Sequence, residues 1–247
     1  MDIYQAIANA QRLVYVTGWS VYTGISLVRG EDATYYPDSN VGDLLIRKAA
    51  EGVRVLVMTW NEKSNDGGLL DGMMGTHDED TNAYFRGTDV VCTNVPRSKS
   101  SWLGLGGQFV GSMYTHHQKT IICDIDPAED SDLRRLVAFV GGIDITDGRY
   151  DTPEFHLYKT IHTVHSGDFY QNCTVGATYE TGPREPWQDI HAMVMGPTVI
   201  DILDNFADRW SHQNLQLRDA LYYITDDEFD LDTPTEVPEE LGGDWSV

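Results

Sequence analysis

Residues 41–60 read VGDLLIRKAAEGVRVLVMTW, and this stretch decides the fold class. Val41 to Glu51 is helical in pattern, Gly52 stops it, and Val53 to Trp60 is an apolar, β-branched run of strand length. Upstream the same units appear in the same order. Ile3, Ala6, Ile7 and Ala10 recur at helical spacing, and Leu13 to Trp19 (LVYVTGW) suits a buried strand. Helix–strand–helix–strand alternation predicts an α/β layer fold, a mixed sheet flanked by helices.

Further along, Thr76 to Arg86 reads as a short helix, with Thr76 as its cap and Glu79 three residues on. Val90–Val95, Tyr114–Ile125 and Leu136–Val140 read as strands. Val199, Ile202, Leu203, Phe206 and Trp210 share one face of an amphipathic helix. Residues 61–75 and the Ser/Gly-rich stretch 97–111 read as loops, the second as a mobile one. Beyond Arg218 the chain turns acidic, with Pro234 and Pro238, and reads as a linker. Trp245-Ser246-Val247 looks like the start of another strand.

The 247 residues carry 17 Lys and Arg against 39 Asp and Glu, a net charge of −22. That field repels nucleic acid and anionic lipid at long range, so an anionic substrate needs a local basic pocket, or divalent cations, to approach. No nucleic-acid partner is expected. The three cysteines, Cys92, Cys123 and Cys173, have no metal-ligand spacing and read as reduced thiols. The N-terminus has no signal-peptide pattern and no apolar run spans a bilayer. The expected location is cytoplasmic.

The chemistry concentrates in Thr115-His116-His117-Gln118-Lys119-Thr120-Ile121-Ile122-Cys123-Asp124. On a strand, His117 and Lys119 project to one side and Asp124 to the other, at the strand end. An imidazole beside an ammonium is costly to bury unless an anion arrives. A phosphodiester fits: Lys119 offers a point charge, and His117 a group that attacks phosphorus or moves protons near neutral pH. Alone, such a pair is more readily an incidental feature of a surface strand.

The pattern H-x-K-x4-D, followed by Gly141-Gly142-Ile143-Asp144, resembles the signature of the phospholipase D superfamily. Matching blocks are Tyr15 to Arg29 (YVTGWSVYTGISLVR), Thr76 to Glu79 (THDE), Phe139 to Thr152 (FVGGIDITDGRYDT) and Gly182 to His191 (GPREPWQDIH). Gly196-Pro197 and Asn205 to Trp210 (NFADRW) also fit. The likeness is greatest to plant- and fungal-type phospholipases D. It implies a phospholipase D-like layered fold, in which two such motifs meet across a pseudo-twofold axis. One His forms a phosphohistidine and the other protonates the leaving alcohol. His117 would be the nucleophile and Lys119 the phosphate holder, with Asp124 structural. Asp189 would hydrogen-bond the catalytic ring, unless it is only a turn residue. Gly141 and Gly142 would let backbone approach the site, and Asp144 would support it. The implied substrate is a phosphatidylcholine-type phospholipid met at a peripheral membrane surface.

The chain departs from that pattern in having no second H-x-K-x4-D. Residues 1–218 therefore read as the first catalytic half, and 219–247 as acidic linker plus the start of a missing second half. The site would need that half, or a homodimer, to be complete. The chemistry itself needs no cofactor. Calcium enters by resemblance, but Phe155 and Gln188 stand where plant enzymes commonly have His, which argues against a calcium site in this half. The competing functions are a noncatalytic protein keeping the fold, or a single-motif homodimeric phosphodiesterase or nuclease.

Overall fold

Apolar runs without polar alternation need a sheet covered on both faces, and the computed structural model, which describes residues 1–62, 75–95, 115–213 and 215–232, shows one. Six strands form it: β1 (Leu13–Gly18), β2 (Arg54–Trp60), β3 (Val91–Val95), β4 (Thr120–Ile125), β5 (Arg135–Gly141) and β6 (His191–Met195). Their spatial order is β3-β2-β1-β4-β5-β6. β1, β2 and β3 run parallel, whereas β4, β5 and β6 join antiparallel. The mixed sheet with flanking helices is the architecture the sequence predicts.

Alternate residues feed two cores. Val14, Val16, Val55, Val57, Ile121, Cys123, Val137 and Phe139 point to one face. There they meet α1 (Asp2–Asn9) and α2 (Val41–Ala50) through Ile7, Leu44 and Leu45. α3 (Asp78–Phe85) adds Phe85 to that core. Leu13, Tyr15, Leu56, Met58, Ile122 and Ala138 point the other way, onto Val199, Leu203, Phe206 and Trp210 of α4 (Thr198–Gln213). Tyr15, Phe206 and Trp210 stack in series, at 4.6 and 5.7 Å between centroids.

Four local expectations differ. The strand expected from Tyr114 to Ile125 is a strand only from Thr120, so His117 and Lys119 lie on the approach to β4 rather than within it. Thr76 does not cap α3: its hydroxyl donates to Glu62 and Asp78, and His77, in a left-handed conformation (φ 55°), occupies the cap. β6 is a strand the pattern did not announce. The acidic stretch after Arg218 is not loose up to residue 232: Phe229 is buried, and Arg134 pairs with the backbone of Glu228 and Asp230. The loop expected at 97–111, most of that at 61–75, and the closing Trp245-Ser246-Val247 lie outside the described residues.

Asp124 ends β4 fully buried and accepts hydrogen bonds from the backbone N–H groups of Gln11 (3.0 Å), Arg12 (2.9 Å) and Leu13 (2.8 Å), besides pairing with Arg134. It thus locks the turn between α1 and β1 to the far end of β4. Asp124→Ala would leave three N–H groups without their acceptor and the buried Arg134 guanidinium with only Asp126 and the Asn9 carbonyl oxygen, and should cost about 3–5 kcal/mol. Urea unfolding checks this; a loss under about 1 kcal/mol would contradict the role.

Candidate active site

The carboxyl ends of β1 and β5 and the amino ends of β4 and β6 lie together, because Thr17 faces Thr120, Thr120 faces Val140, and Gly141 faces His191. At such an edge of an α/β sheet, loops converge and ligands bind. His117 and Lys119 enter β4 here, Gly141 and Gly142 leave β5, and Asp189 leads into β6. Asp124 sits at the opposite end of β4, away from them.

Lys119 is nearly buried. Its ammonium lies 2.8 Å from Asp144 Oδ2 and 3.3 Å from the His117 carbonyl oxygen. Asp144 Oδ1 accepts from the N–H groups of Trp19 (2.8 Å) and Ser20 (3.2 Å). Asp144 therefore holds three chain segments at one point. The His117 ring is exposed and lies 6.3 Å from the Trp19 ring, and among the described residues it makes no hydrogen bond. Partial burial and the Lys119 charge lower its pKa, against the opposing pull of Asp144 and Asp189. The imidazole is thereby kept neutral, the form that attacks as a nucleophile.

Asp189 stands near enough to act on His117 through charge, but its Oδ1 accepts the N–H of Ile190 (2.8 Å) rather than bonding the ring. Its carboxylate lies on Gly142, where an added Cβ would come within 1.9 Å of Oδ1; a Cβ on Gly141 would meet the Ile190 carbonyl oxygen at 2.2 Å. The two glycines let the Asp189–His191 segment lie against the end of β5.

Residues 143–190 contain no helix or strand, yet two buried ion pairs hold them. Arg184 bonds Asp151 (2.9 Å), which also accepts the Trp187 N–H (2.9 Å). Arg29 pairs with Asp168, which accepts the Gly148 N–H (2.8 Å). This segment brings three groups to the site that the motif does not name. Trp187 and Arg149 pack together, the guanidinium carbon 4.0 Å from the ring. Asp147 bonds His77 Nε2 (3.1 Å), and His77 stacks on Tyr22 at 4.1 Å. Burial opposes protonation of His77, but Asp147 and Asp80 outweigh it and raise its pKa. Arg149 lies inside the block FVGGIDITDGRYDT, the signal that could have singled it out.

Among the described residues, no three His, Cys, Asp or Glu side chains form a group able to hold a metal ion. The described side chains at this edge offer no such group to a calcium ion. No described helix is long and apolar enough to cross a membrane.

His116 is buried beside the site, and neither ring nitrogen makes a hydrogen bond. Burial, with the charges of Arg209 and Lys119, lowers its pKa to about 4. Its unfolded value is about 6.5. The fold thus excludes a proton that the unfolded chain accepts, and stability intact above about pH 6.5 is lost progressively as pH falls toward 4. His116→Gln should flatten the pH dependence of the urea midpoint, removing about 2 kcal/mol of the loss between pH 6.5 and 5. An unchanged slope would count against this source.

Comparison with known proteins places this geometry. The family model described as Phospholipase D matches residues 6–245. The chain is 49% identical over 223 residues to phospholipase D alpha 1 of Brassica oleracea var. capitata, covering 86% of the chain and 27% of that protein. It is 48% identical to phospholipase D alpha 2 of Arabidopsis thaliana, with the same coverage. Against phospholipase D alpha 1 of Arabidopsis thaliana, identity is 45% over 258 residues, covering 100% of the chain and 31% of the relative. The chain thus spans under a third of the length of these curated relatives. With a family match over nearly all its residues, the chain belongs to the phospholipase D family.

Proposed function

We propose that this chain, from residue 1 through at least the packed segment ending at residue 232, carries the first catalytic half of a phospholipase D that hydrolyses phosphatidylcholine-type phospholipids to phosphatidate and free alcohol. The observation that carries this is the exposed, neutral-leaning imidazole of His117 beside Lys119, which Asp144 clamps at the open edge of the sheet. His117 attacks phosphorus, the bond to the head-group oxygen breaks, and a phosphohistidine forms. Lys119 stabilises the charge gathered on the phosphoryl oxygens. Asp189 offsets the positive charge that develops on the ring. The leaving alcohol takes its proton from an acid outside this chain's single motif. Water then attacks the phosphohistidine, releasing phosphatidate and restoring His117.

A second half, or a second copy of the chain, supplies that acid. Ile190 and Met193, 84% and 56% exposed beside β6, leave apolar surface next to the site for it to cover. The substrate places the protein at a peripheral membrane surface on the cytoplasmic side. A nucleic-acid substrate is disfavoured by the charge of −22.

Choline release from phosphatidylcholine vesicles tests the reading. The chain alone should release none, and adding a separately expressed C-terminal half of the Brassica relative should restore turnover. His117→Ala should abolish the restored activity, and Lys119→Ala should lower it about 100- to 1,000-fold. Rates rising with the square of chain concentration would point to a homodimer. Turnover by monomeric chain, or activity surviving His117→Ala, would refute the assignment. Independently, NMR titration should place His117 below 6.5, and Lys119→Met should move it upward by removing a neighbouring charge.

A further inference from the structure

The cation named by the motif is already matched. Lys119 lies against Asp144, with side chains 4% and 3% exposed, so the pair brings little surplus positive charge to an anion. A second cation nearby is in the opposite condition. Arg149 is 7% exposed, and no carboxylate lies within ion-pair distance of it among the described residues. Its Nη1 donates to the Asp147 carbonyl oxygen (3.0 Å), and its Nε has no partner. Three aromatic rings surround the guanidinium carbon, with centroids at 4.0 Å (Trp187), 4.7 Å (Tyr170) and 6.0 Å (Trp19).

Cation–π contacts offset only part of the cost of taking a guanidinium out of water. Buried charges are ordinarily paired, and this one is left without an anion at the edge of a site that expects one. Its position fits. Arg149 and the His117 ring both neighbour the Trp19 indole, at 6.0 and 6.3 Å, and the arginine charge reaches His117. The planar fork also suits two phosphoryl oxygens, whereas an ammonium offers one point of charge.

We propose that Arg149, held between Trp187, Tyr170 and Trp19, binds the phosphate group in this site and adds a positive charge without a carboxylate partner to that of the Asp144-bound Lys119. The inference rests on the phosphodiesterase reading above. The shared ligand chemistry is a phosphate group, whether on a lipid or free.

Calorimetric titration of the full chain with inorganic phosphate and with dibutyryl phosphatidate tests it, with Trp19 and Trp187 fluorescence as a second signal. Arg149→Met should weaken binding of both by about 10- to 100-fold, and Arg149→Lys should recover part of the loss. Circular dichroism and the melting profile should stay near wild type, which a purely structural role would not allow. If Arg149→Met does not fold, phosphate titration of the wild-type chain should shift an arginine Nε–H resonance that Arg149→Lys removes. The absence of such a shift overturns the proposal. Wild-type binding that Arg149→Met leaves intact overturns the role of Arg149 alone, and so does a loss confined to phosphatidate. No saturable binding of either ligand by the wild-type chain overturns the phosphodiesterase reading as well.

Discussion

Everything at the open edge of this sheet is organised by one carboxylate. Asp144 takes two backbone N–H groups from the turn after β1 and the ammonium of Lys119 from the approach to β4, while it sits itself just past β5. Buried almost completely, it would be costly unpaired, and Lys119 in the same surroundings would be too. Each makes the other tolerable, and the bond fixes where three chain segments end. His117, two residues before Lys119, is left outside this network and exposed.

The division of labour between the two acidic residues of the H-x-K-x4-D and Gly-Gly-x-Asp segments follows from where they stand on the sheet. Asp124 ends β4 at one edge and ties the turn between α1 and β1 to Arg134. Asp144 does the corresponding work at the other edge. Both are structural carboxylates bonded to backbone N–H groups, but only Asp144 touches a residue of the reacting constellation. Against a net charge of −22, two cations, Lys119 and Arg149, are withdrawn from the acidic surface into a place where their charges are screened less than in water.

The alternation of helix and strand in residues 1–60, the apolar strands covered on both faces, and the facing of α4 were all legible in the sequence, because a period of two or 3.6 is written directly into which residues are apolar. His117, Lys119 and Asp124 were legible through their spacing and flanks. β6 was not: it is an edge strand of five residues, HAMVM, half exposed, and its pairing with β5 is decided by the glycines that let it approach. The capping of α3 was misread because Thr76 had a stronger claim on it from Glu62, a contact between distant parts of the chain. The acidic stretch after Arg218 looked like linker because its charge hides one buried ring, Phe229, from any local count.

Sequence alone singled out His117, Lys119 and Asp124 as candidates and determined which runs form most of the sheet, since both are matters of residue type and short-range period. Tertiary structure alone decided how those residues are charged and paired: that Lys119 is spent on Asp144, that Asp189 acts on His117 through space rather than a hydrogen bond, and that Arg149 arrives beside Trp19 across a long segment without regular structure. Ionisation and pairing depend on burial and on neighbours brought from far along the chain, and no local pattern encodes either.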